Sequence, residues 1–181
     1  MGTATHDEDL ALIMPALEQI AASSPTFRLM LIGVSTDASV IAGRERWIER
    51  IEVPLEAKNY DIFVGWLRSQ AARADFGLAP LTDATFNLCK SPLKVLDYAA
   101  LGLPILASNH PVYQNEWHDA PGLTLVDSKS DDWHKALEAK VDAGRRTAEI
   151  SEQQRTWVFD QGMIQGEADD FETIVKRLLV R

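Results

Sequence analysis

Residues 89–108, CKSPLKVLDYAALGLPILAS, decide the fold that this sequence predicts, because they give one helix followed directly by one strand. Ser91 is a common helix-capping residue, and Pro92 suits the first helical position because its missing N–H would be unsatisfied there anyway. Gly102 and Pro104 then end the helix about three turns later, and an apolar strand follows at once. A helix that leads straight into a strand is typical of domains in which strands and helices alternate.

The start of this helix carries positive charge. Lys90 and Lys94 lie where free backbone amides and the helix dipole already favour an anion, and Asp97 follows Lys94 on the same face. Such a start could hold a sugar nucleotide, with cations and amides on the diphosphate and the carboxylate on ribose hydroxyls. The alternative is a well-capped surface helix in which Lys94 and Asp97 form an exposed pair worth a few tenths of a kcal/mol.

Short apolar runs and amphipathic helices alternate along the chain, which is typical of a parallel sheet with crossover helices. We expect an α/β domain with a parallel sheet of about five or six strands and helices on both faces. Strands are expected at 27–33, 48–53, 75–81, 105–108 and 123–126. Besides the helix after Lys90, helices are expected at 7–22, 38–46, 60–72, 111–117, 131–143, 147–159 and 167–179. Ligands bind outside the carboxyl ends of the strands in such sheets, which favours the binding interpretation of the lysines over the surface pair.

Length and composition predict one domain over residues 1–181, with trailing helices from 145 to 181. The net charge of −9 argues against binding to nucleic acid or to an anionic membrane surface. A single cysteine excludes an internal disulfide and fits a reducing compartment. No apolar run has the length of a membrane span and no signal-peptide pattern is present, so we expect a cytoplasmic protein.

The stretch 89–108 resembles the donor-site motif of retaining glycosyltransferases with two Rossmann domains, the family 4 or group 1 type. That motif has two glutamates separated by seven residues, followed by a helix that ends in a small-residue, Gly, x-Pro, strand pattern. Asp97 matches the second glutamate, and LDYAALGLPILAS at 96–108 follows the helix-to-strand pattern. Cys89 stands at the position of the first glutamate, which in the family contacts the transferred sugar.

The resemblance implies a Rossmann-like three-layer α/β/α domain, the donor-binding half of a two-domain enzyme. It implies a nucleotide-diphosphate sugar as substrate, transfer with retention to an acceptor, no metal or other cofactor, and a part in polysaccharide biosynthesis. It also implies an amino-terminal acceptor-binding domain that is missing from this chain, so this half alone should bind nucleotide weakly and turn nothing over. It identifies no catalytic residue, and base, sugar and acceptor stay open.

The resemblance also implies roles for individual residues near the motif. Lys90, Ser91 and the Leu93 amide would contact phosphate, Lys94 would contact phosphate or the pyrophosphate bridge, and Asp97 would contact ribose. Asn87 lies in the loop where the donor sugar would rest.

The first loop of the chain resembles the glycine loop that faces the diphosphate in the family. Gly2, Thr3 and His6 are therefore further candidate contacts. The family's arginine and lysine are missing from this loop, so Lys90 and Lys94 would have to supply the cations. The strand that opens the family's domain is also absent here.

Two other classes of protein stay open. One is a non-catalytic relative that acts as a binding or interaction module, favoured by the loss of the first glutamate and of the loop cations. The other is a flavodoxin-like receiver, which needs an acidic cluster at its strand ends. The expected strand ends instead carry Gly33, Pro54, Leu81 and Ser108, which counts against a receiver.

Metal and thiol chemistry are not indicated by the sequence. Asp7-Glu8-Asp9 spells the D-x-D string that other glycosyltransferases use for a metal, but here it opens a helix, where the dipole favours acids. The histidines, expected at the surface, have no metal-ligand spacing; they are His6, His110, His118 and His134. Cys89 is expected to be a partly buried, unreactive thiol.

Overall fold

The computed structural model describes residues 7–33, 40–115 and 117–160. Gly2, Thr3 and His6 lie outside these ranges, as do the helix predicted at 167–179 and the first two residues of the one predicted at 38–46. The described residues form an α/β structure in which every strand pairing is parallel. None of the described helices has the length and apolar character that crossing a membrane requires.

The helices and strands mostly lie where the hydrophobic periodicity predicts them. The helices are α1 Asp7–Ser23, α2 Tyr60–Ala71, α3 Leu93–Ala100, α4 Pro111–Asn115, α5 Ser130–Asp142 and α6 Ala148–Asp160. The strands are β1 Leu29–Ile32, β2 Ile48–Ile51, β3 Gly77–Ala79, β4 Ile105–Ser108 and β5 Leu123–Val126. Short 3₁₀ helices occur at Glu56–Lys58 and Thr85–Cys89. The predicted helix at 38–46 is the exception, since residues 41–47 are mainly turns.

The strands form two small parallel sheets instead of the single sheet that the sequence predicts. One sheet has the order β1-β2 and the other has the order β3-β4-β5. β1 pairs with β2 and β3 pairs with β4, and no described strand connects β1 to β3. The parallel α/β class is therefore confirmed, whereas the described residues do not form one continuous sheet of five or six strands.

Helices pack on both faces of the strands and create two hydrophobic cores. Alternate residues of β4 enter different cores, since Leu106 lies in one core and Ile105 and Ala107 lie in the other. The first core contains the buried stripe of α1 and the α5 residue Trp133, which is fully buried. The second core contains α3 through residues such as Val95. Side chains of a strand point to opposite faces in alternation, so the two cores lie on opposite sides of this sheet.

The turn from α3 to β4 follows the sequence prediction closely. Gly102 has φ +67°, its N–H donates to the Ala99 carbonyl over 2.8 Å, and the Leu103 N–H donates to the Tyr98 carbonyl over 2.9 Å. These two bonds form a Schellman motif, in which glycine takes the left-handed position. The turn therefore ends α3 at the residue that the sequence indicates and sends the chain directly into β4.

Candidate functional site

The amino end of α3 differs from the prediction in one detail. The helix begins at Leu93, Pro92 takes the capping position, and the Pro92 carbonyl accepts a hydrogen bond from the Val95 N–H over 2.9 Å. No side chain caps this end, so the prediction that Ser91 is the cap is wrong. Because α3 starts one residue later than expected, Ser91 lies outside the position from which a hydroxyl reaches the first free amides.

Asp9, in the first turn of α1, is the centre of a buried polar group beside this helix end. Its side chain is almost fully buried, and Oδ1 accepts hydrogen bonds from the Thr82 N–H over 2.9 Å and from Asn87 Nδ2 over 3.2 Å. Its Oδ2 forms an ion pair with Lys90 Nζ at 3.2 Å. We call Asp9, Thr82, Asn87 and Lys90 the Asp9 cluster. It joins α1 to the loop after β3 and to the residues just before α3.

Lys90 therefore has an internal carboxylate partner. Its side chain is 19% exposed, and its ammonium also lies 5.7 Å from the centroid of the exposed Phe86 ring. A phosphate that approached Lys90 would compete with the carboxylate of Asp9, which is also held in place by the Thr82 N–H, the Thr82 hydroxyl and Asn87 Nδ2. The structure thus gives Lys90 a role in joining elements, beside the phosphate contact that the resemblance implies.

Asn87 is also engaged within the protein. It is buried, and its side-chain nitrogen donates to the Thr82 carbonyl over 2.8 Å and lies 2.9 Å from the Thr82 hydroxyl oxygen. These bonds fix the loop between β3 and α3. The side-chain nitrogen of Asn87 is thereby bound to this loop, and the contact of Asn87 with a donor sugar stays a prediction.

Lys94 is the cation of this region that faces a cavity. It is half-buried in the first turn of α3 and, with Asp9, lines a cavity of about 520 Å³. Burial lowers the pKa of Lys94 to about 8; nearby Lys90 lowers it further, while Asp9 and Asp97 oppose the shift. Within the described ranges no carboxylate lies within ion-pair distance of Lys94. The exposed Lys94–Asp97 pair, which was the alternative interpretation, is therefore not formed.

The remaining motif residues lie on the outer side of α3. Leu93 and Asp97 are exposed, and so is Ser91 in the preceding loop. Asp97 as a whole residue is exposed, but nearby protein atoms partly desolvate its carboxylate. This desolvation raises the pKa of Asp97, and the positive charge of Lys94 lowers it. These residues are accessible to a ligand in solution. Their predicted contacts with phosphate and ribose stay predictions.

His110 and Cys89 are placed differently from expectation. His110 is buried, not at the surface, and its Nδ1 accepts a hydrogen bond from the Val112 N–H over 3.3 Å at the start of α4. A ring that caps a helix must lie against it, which accounts for the burial. Cys89 is exposed, not partly buried, because it ends the 3₁₀ helix on the outside of the loop. Across the described residues, no three His, Cys, Asp or Glu side chains are grouped so as to hold a metal ion.

Comparison with known proteins adds no relative: no family model matches the sequence, and no similar curated protein is found. The functional interpretation therefore depends on the site geometry and on the resemblance of residues 89–108 to the donor-site motif. The sequence indicates the loop and the helix start as candidate site elements, but it does not indicate that Asp9 is their partner. Its only signal was an acid in the first turn of a helix, which the dipole alone explains.

Proposed function

We propose that this domain binds the diphosphate of a nucleotide sugar at the amino end of α3, as the donor-binding half of a retaining glycosyltransferase. The observation that supports this most is Lys94, a half-buried cation beside a helix start with no carboxylate paired to it among the described residues. It follows β3 in a parallel sheet, and ligands in such folds bind beyond the carboxyl ends of the strands. A desolvated cation gains more from an anion than a hydrated one does, because the local dielectric is lower.

We further propose that the two sheets are parts of one Rossmann-like, three-layer arrangement in the order β2-β1-β3-β4-β5. Helices on both faces and parallel pairing in both sheets support this arrangement. The order reverses between β1 and β3, and doubly wound folds bind ligands at such a reversal. Asp9 and Lys94 line the same cavity as residues of β1 and β3.

The chemistry proposed for the site is electrostatic. When a sugar leaves a nucleoside diphosphate, negative charge grows on the leaving phosphate, so a fixed cation and backbone amides lower the barrier. Lys94 and the Leu93 amide would take this role, with Asp97 at the ribose. An amino-terminal acceptor domain would supply the other wall of the site, and the proposal needs no metal ion.

A second candidate function is a binding or interaction module that performs no transfer. The observation that favours it is the internal use of two candidate site residues, since Lys90 is paired with Asp9 and Asn87 is bound to its own loop. Cys89 also stands where the resembled motif has the acid that contacts the sugar. Fewer side chains are therefore available to bind a donor sugar. The two functions differ in whether the domain binds a nucleoside diphosphate saturably.

The test is a calorimetric titration of the chain with uridine diphosphate and guanosine diphosphate, repeated with Lys94→Ala. We expect saturable binding of one of them, and a loss of about tenfold or more in affinity on Lys94→Ala, since a hydrogen bond to a charged group contributes about 1.5–3 kcal/mol. Lys58→Ala, which removes an exposed lysine of the 3₁₀ helix Glu56–Lys58, is the matched control and should leave affinity unchanged. Absence of saturable binding at millimolar nucleotide would favour the non-catalytic module, and equal effects of the two substitutions would remove Lys94 from the site.

A further inference from the structure

Three arginines lie at the amino edge of the β3-β4-β5 sheet, opposite the edge from which α3 starts. Arg145 and Arg146 lie between α5 and α6, and Arg155 belongs to α6. Arg145 Nε is 3.4 Å from Oδ1 of Asp75, which comes two residues before β3. Arg155 Nη1 would be 2.8 Å from a Cβ added at Gly102, which comes three residues before β4. We call Arg145, Arg146 and Arg155 the arginine group.

The three side chains are close enough for their charges to act on one another. Burial lowers the pKa of Arg146, the charges of Arg155 and Arg145 lower it further, and Asp75 opposes the shift. Charges of the same sign repel, and the repulsion is stronger at a partly buried place because the dielectric is lower there. Three cations are thus held together on a chain whose net charge is −9, an arrangement that an added anion would stabilise.

The carboxylates beside the arginine group are already paired with two of its members. Asp75 forms an ion pair with Arg145, and Glu152 forms one with Arg155 over 2.9 Å. In the part of the chain that the structure describes, no carboxylate lies within ion-pair distance of Arg146. Both existing pairs reach solvent, and such pairs contribute little to stability. These contacts therefore leave Arg146 without an ion-pair partner.

Hydrogen bonding around Arg146 is also incomplete. Its Nη1 is buried and has no hydrogen-bond partner among the described residues. Asp75 Oδ1 is in the same situation, because its contact with Arg145 is an ion pair without a hydrogen bond. A buried charged donor without an acceptor is unfavourable. Arg145 and Arg155 are exposed, so an anion from solvent can reach the group and supply the missing acceptor.

We propose that Arg145, Arg146 and Arg155 bind a phosphate-type oxyanion at the amino edge of the β3-β4-β5 sheet. The half-buried Arg146 side chain would turn its guanidinium toward this anion. A tetrahedral oxyanion has acceptor oxygens that point in several directions, so guanidinium groups from different elements can each bond to one. A carboxylate has both acceptors in one plane and matches a single guanidinium. The proposal does not depend on nucleotide binding, because Lys94 lies at the opposite edge of the sheet.

The test is a nuclear magnetic resonance titration of the ¹⁵N-labelled full chain with inorganic phosphate at constant ionic strength. The Nε–H signals of the three arginines and the backbone amide of Thr147 report binding at the arginine group. We expect these signals to shift together and to saturate. A parallel titration with acetate should shift them without saturation, because a carboxylate matches one guanidinium only.

Three variants assign the binding to the arginine group. Arg146→Gln should weaken phosphate binding about tenfold, because it removes a charged donor. Arg155→Gln should weaken it as well, and this exposed residue keeps the test valid if Arg146→Gln does not fold. The matched control is Arg68→Gln, which removes the same charge from an exposed position of α2 and should leave the affinity unchanged. The Ile105 amide, which donates to the Gly122 carbonyl, reports whether each variant is folded.

Titration with glucose 1-phosphate identifies the source of the oxyanion. Tighter binding than inorganic phosphate would show that the site takes the phosphoryl group of a larger molecule, and weaker binding that it takes the free ion; both results support the proposal.

Three results would overturn the proposal. The first is an equal effect of Arg146→Gln, Arg155→Gln and Arg68→Gln, since net charge alone would then set the affinity. The second is saturable binding of acetate with the affinity of phosphate. The third is phosphate-induced shifts around Lys94 with none at the arginine group, a result that leaves the proposed nucleotide site intact.

Discussion

At the scale of single residues, one buried carboxylate of α1 binds three residues of the loop that leads into α3. Asp9 binds Thr82, Asn87 and Lys90, which lie 73, 78 and 81 positions further along the sequence. A buried charge costs several kcal/mol unless it is paired and hydrogen-bonded, and Asp9 has both kinds of partner. The cluster therefore sets the position of the loop that leads into α3, and with it the position of Lys94.

Asp9→Ala is expected to lower the free energy of unfolding by about 2–3 kcal/mol, because it leaves the Lys90 ammonium and the Thr82 N–H without their acceptor. Asp7→Ala is the matched control, since Asp7 is an exposed acid of the same helical turn and should cost under about 0.5 kcal/mol. Urea unfolding followed by circular dichroism measures both. Equal losses for the two variants would show that the dipole of α1, and not the cluster, is the main stabilising contribution of these acids.

The charge of Lys94 should make nucleotide binding depend on pH. The pKa of Lys94 is about 8 in the free protein. The side chain is therefore positively charged at lower pH and loses this charge as the pH rises. A bound diphosphate raises the pKa of Lys94 further, so affinity should fall as the pH rises above about 8 and then level off at the Lys94→Ala value.

The control for this pH profile is Lys94→Arg. Arginine stays charged throughout this range, so the variant should show no such fall in affinity. Calorimetric titrations with uridine diphosphate at several pH values measure both profiles. The same decline in the arginine variant would assign the titration to another group.

At the scale of elements, α6 holds the turn between α3 and β4. The Ser151 hydroxyl donates to the Gly102 carbonyl and Gln154 Nε2 donates to the Leu103 carbonyl, each over 2.8 Å, and both side chains are buried. These bonds satisfy carbonyls at the end of α3, which otherwise have no helical partner. The last described helix is thereby tied to the helix that carries the candidate site.

Gly102→Ala tests this junction. Alanine is strained at φ +67°, and its Cβ would lie 2.9 Å from the Ser151 Cβ and 2.8 Å from Arg155 Nη1. We expect a loss of about 2–3 kcal/mol in the free energy of unfolding, the sum of backbone strain and the displacement of α6. Thermal or urea unfolding measures the loss.

Gly144→Ala is the control for this substitution. Gly144 has φ +71° after α5 but has no atom within 4 Å of an added Cβ, so only the strain of about 1 kcal/mol should remain. If Gly102→Ala lowers the free energy of unfolding no more than Gly144→Ala does, then α6 moves aside at little cost and does not hold the turn.

The elements themselves were predictable because their signals are local. Buried side chains recur at helical spacing in α1, and glycine and proline mark the end of α3, so the expected and observed bounds agree closely at both places. The cap of α3 was not predictable in the same way. A serine before a proline suits either of two helix starts one residue apart, and the pairing of the loop with Asp9 accompanies the later one.

At the scale of the whole molecule, the two cores and the cavity depend on contacts between distant segments. β1 and β3 are separated by β2 and α2 in the chain, yet their edges line the same space. Strand order is decided by which apolar faces the helices cover, and short apolar runs such as LMLI and GLA do not specify a neighbour. The division into two sheets therefore became visible only in the folded chain.

The amino-acid sequence by itself determined the α/β class, the helix and strand positions, and the cationic start of α3, because each depends on residues within a few turns of one another. The tertiary structure alone decided which of those cations faces a cavity and which is paired. Lys90 and Lys94 look alike in sequence, but the carboxylate of Asp9 comes from the far end of the chain and pairs with Lys90. Electrostatic partners are set by proximity in space, and only folding brings α1 to that loop.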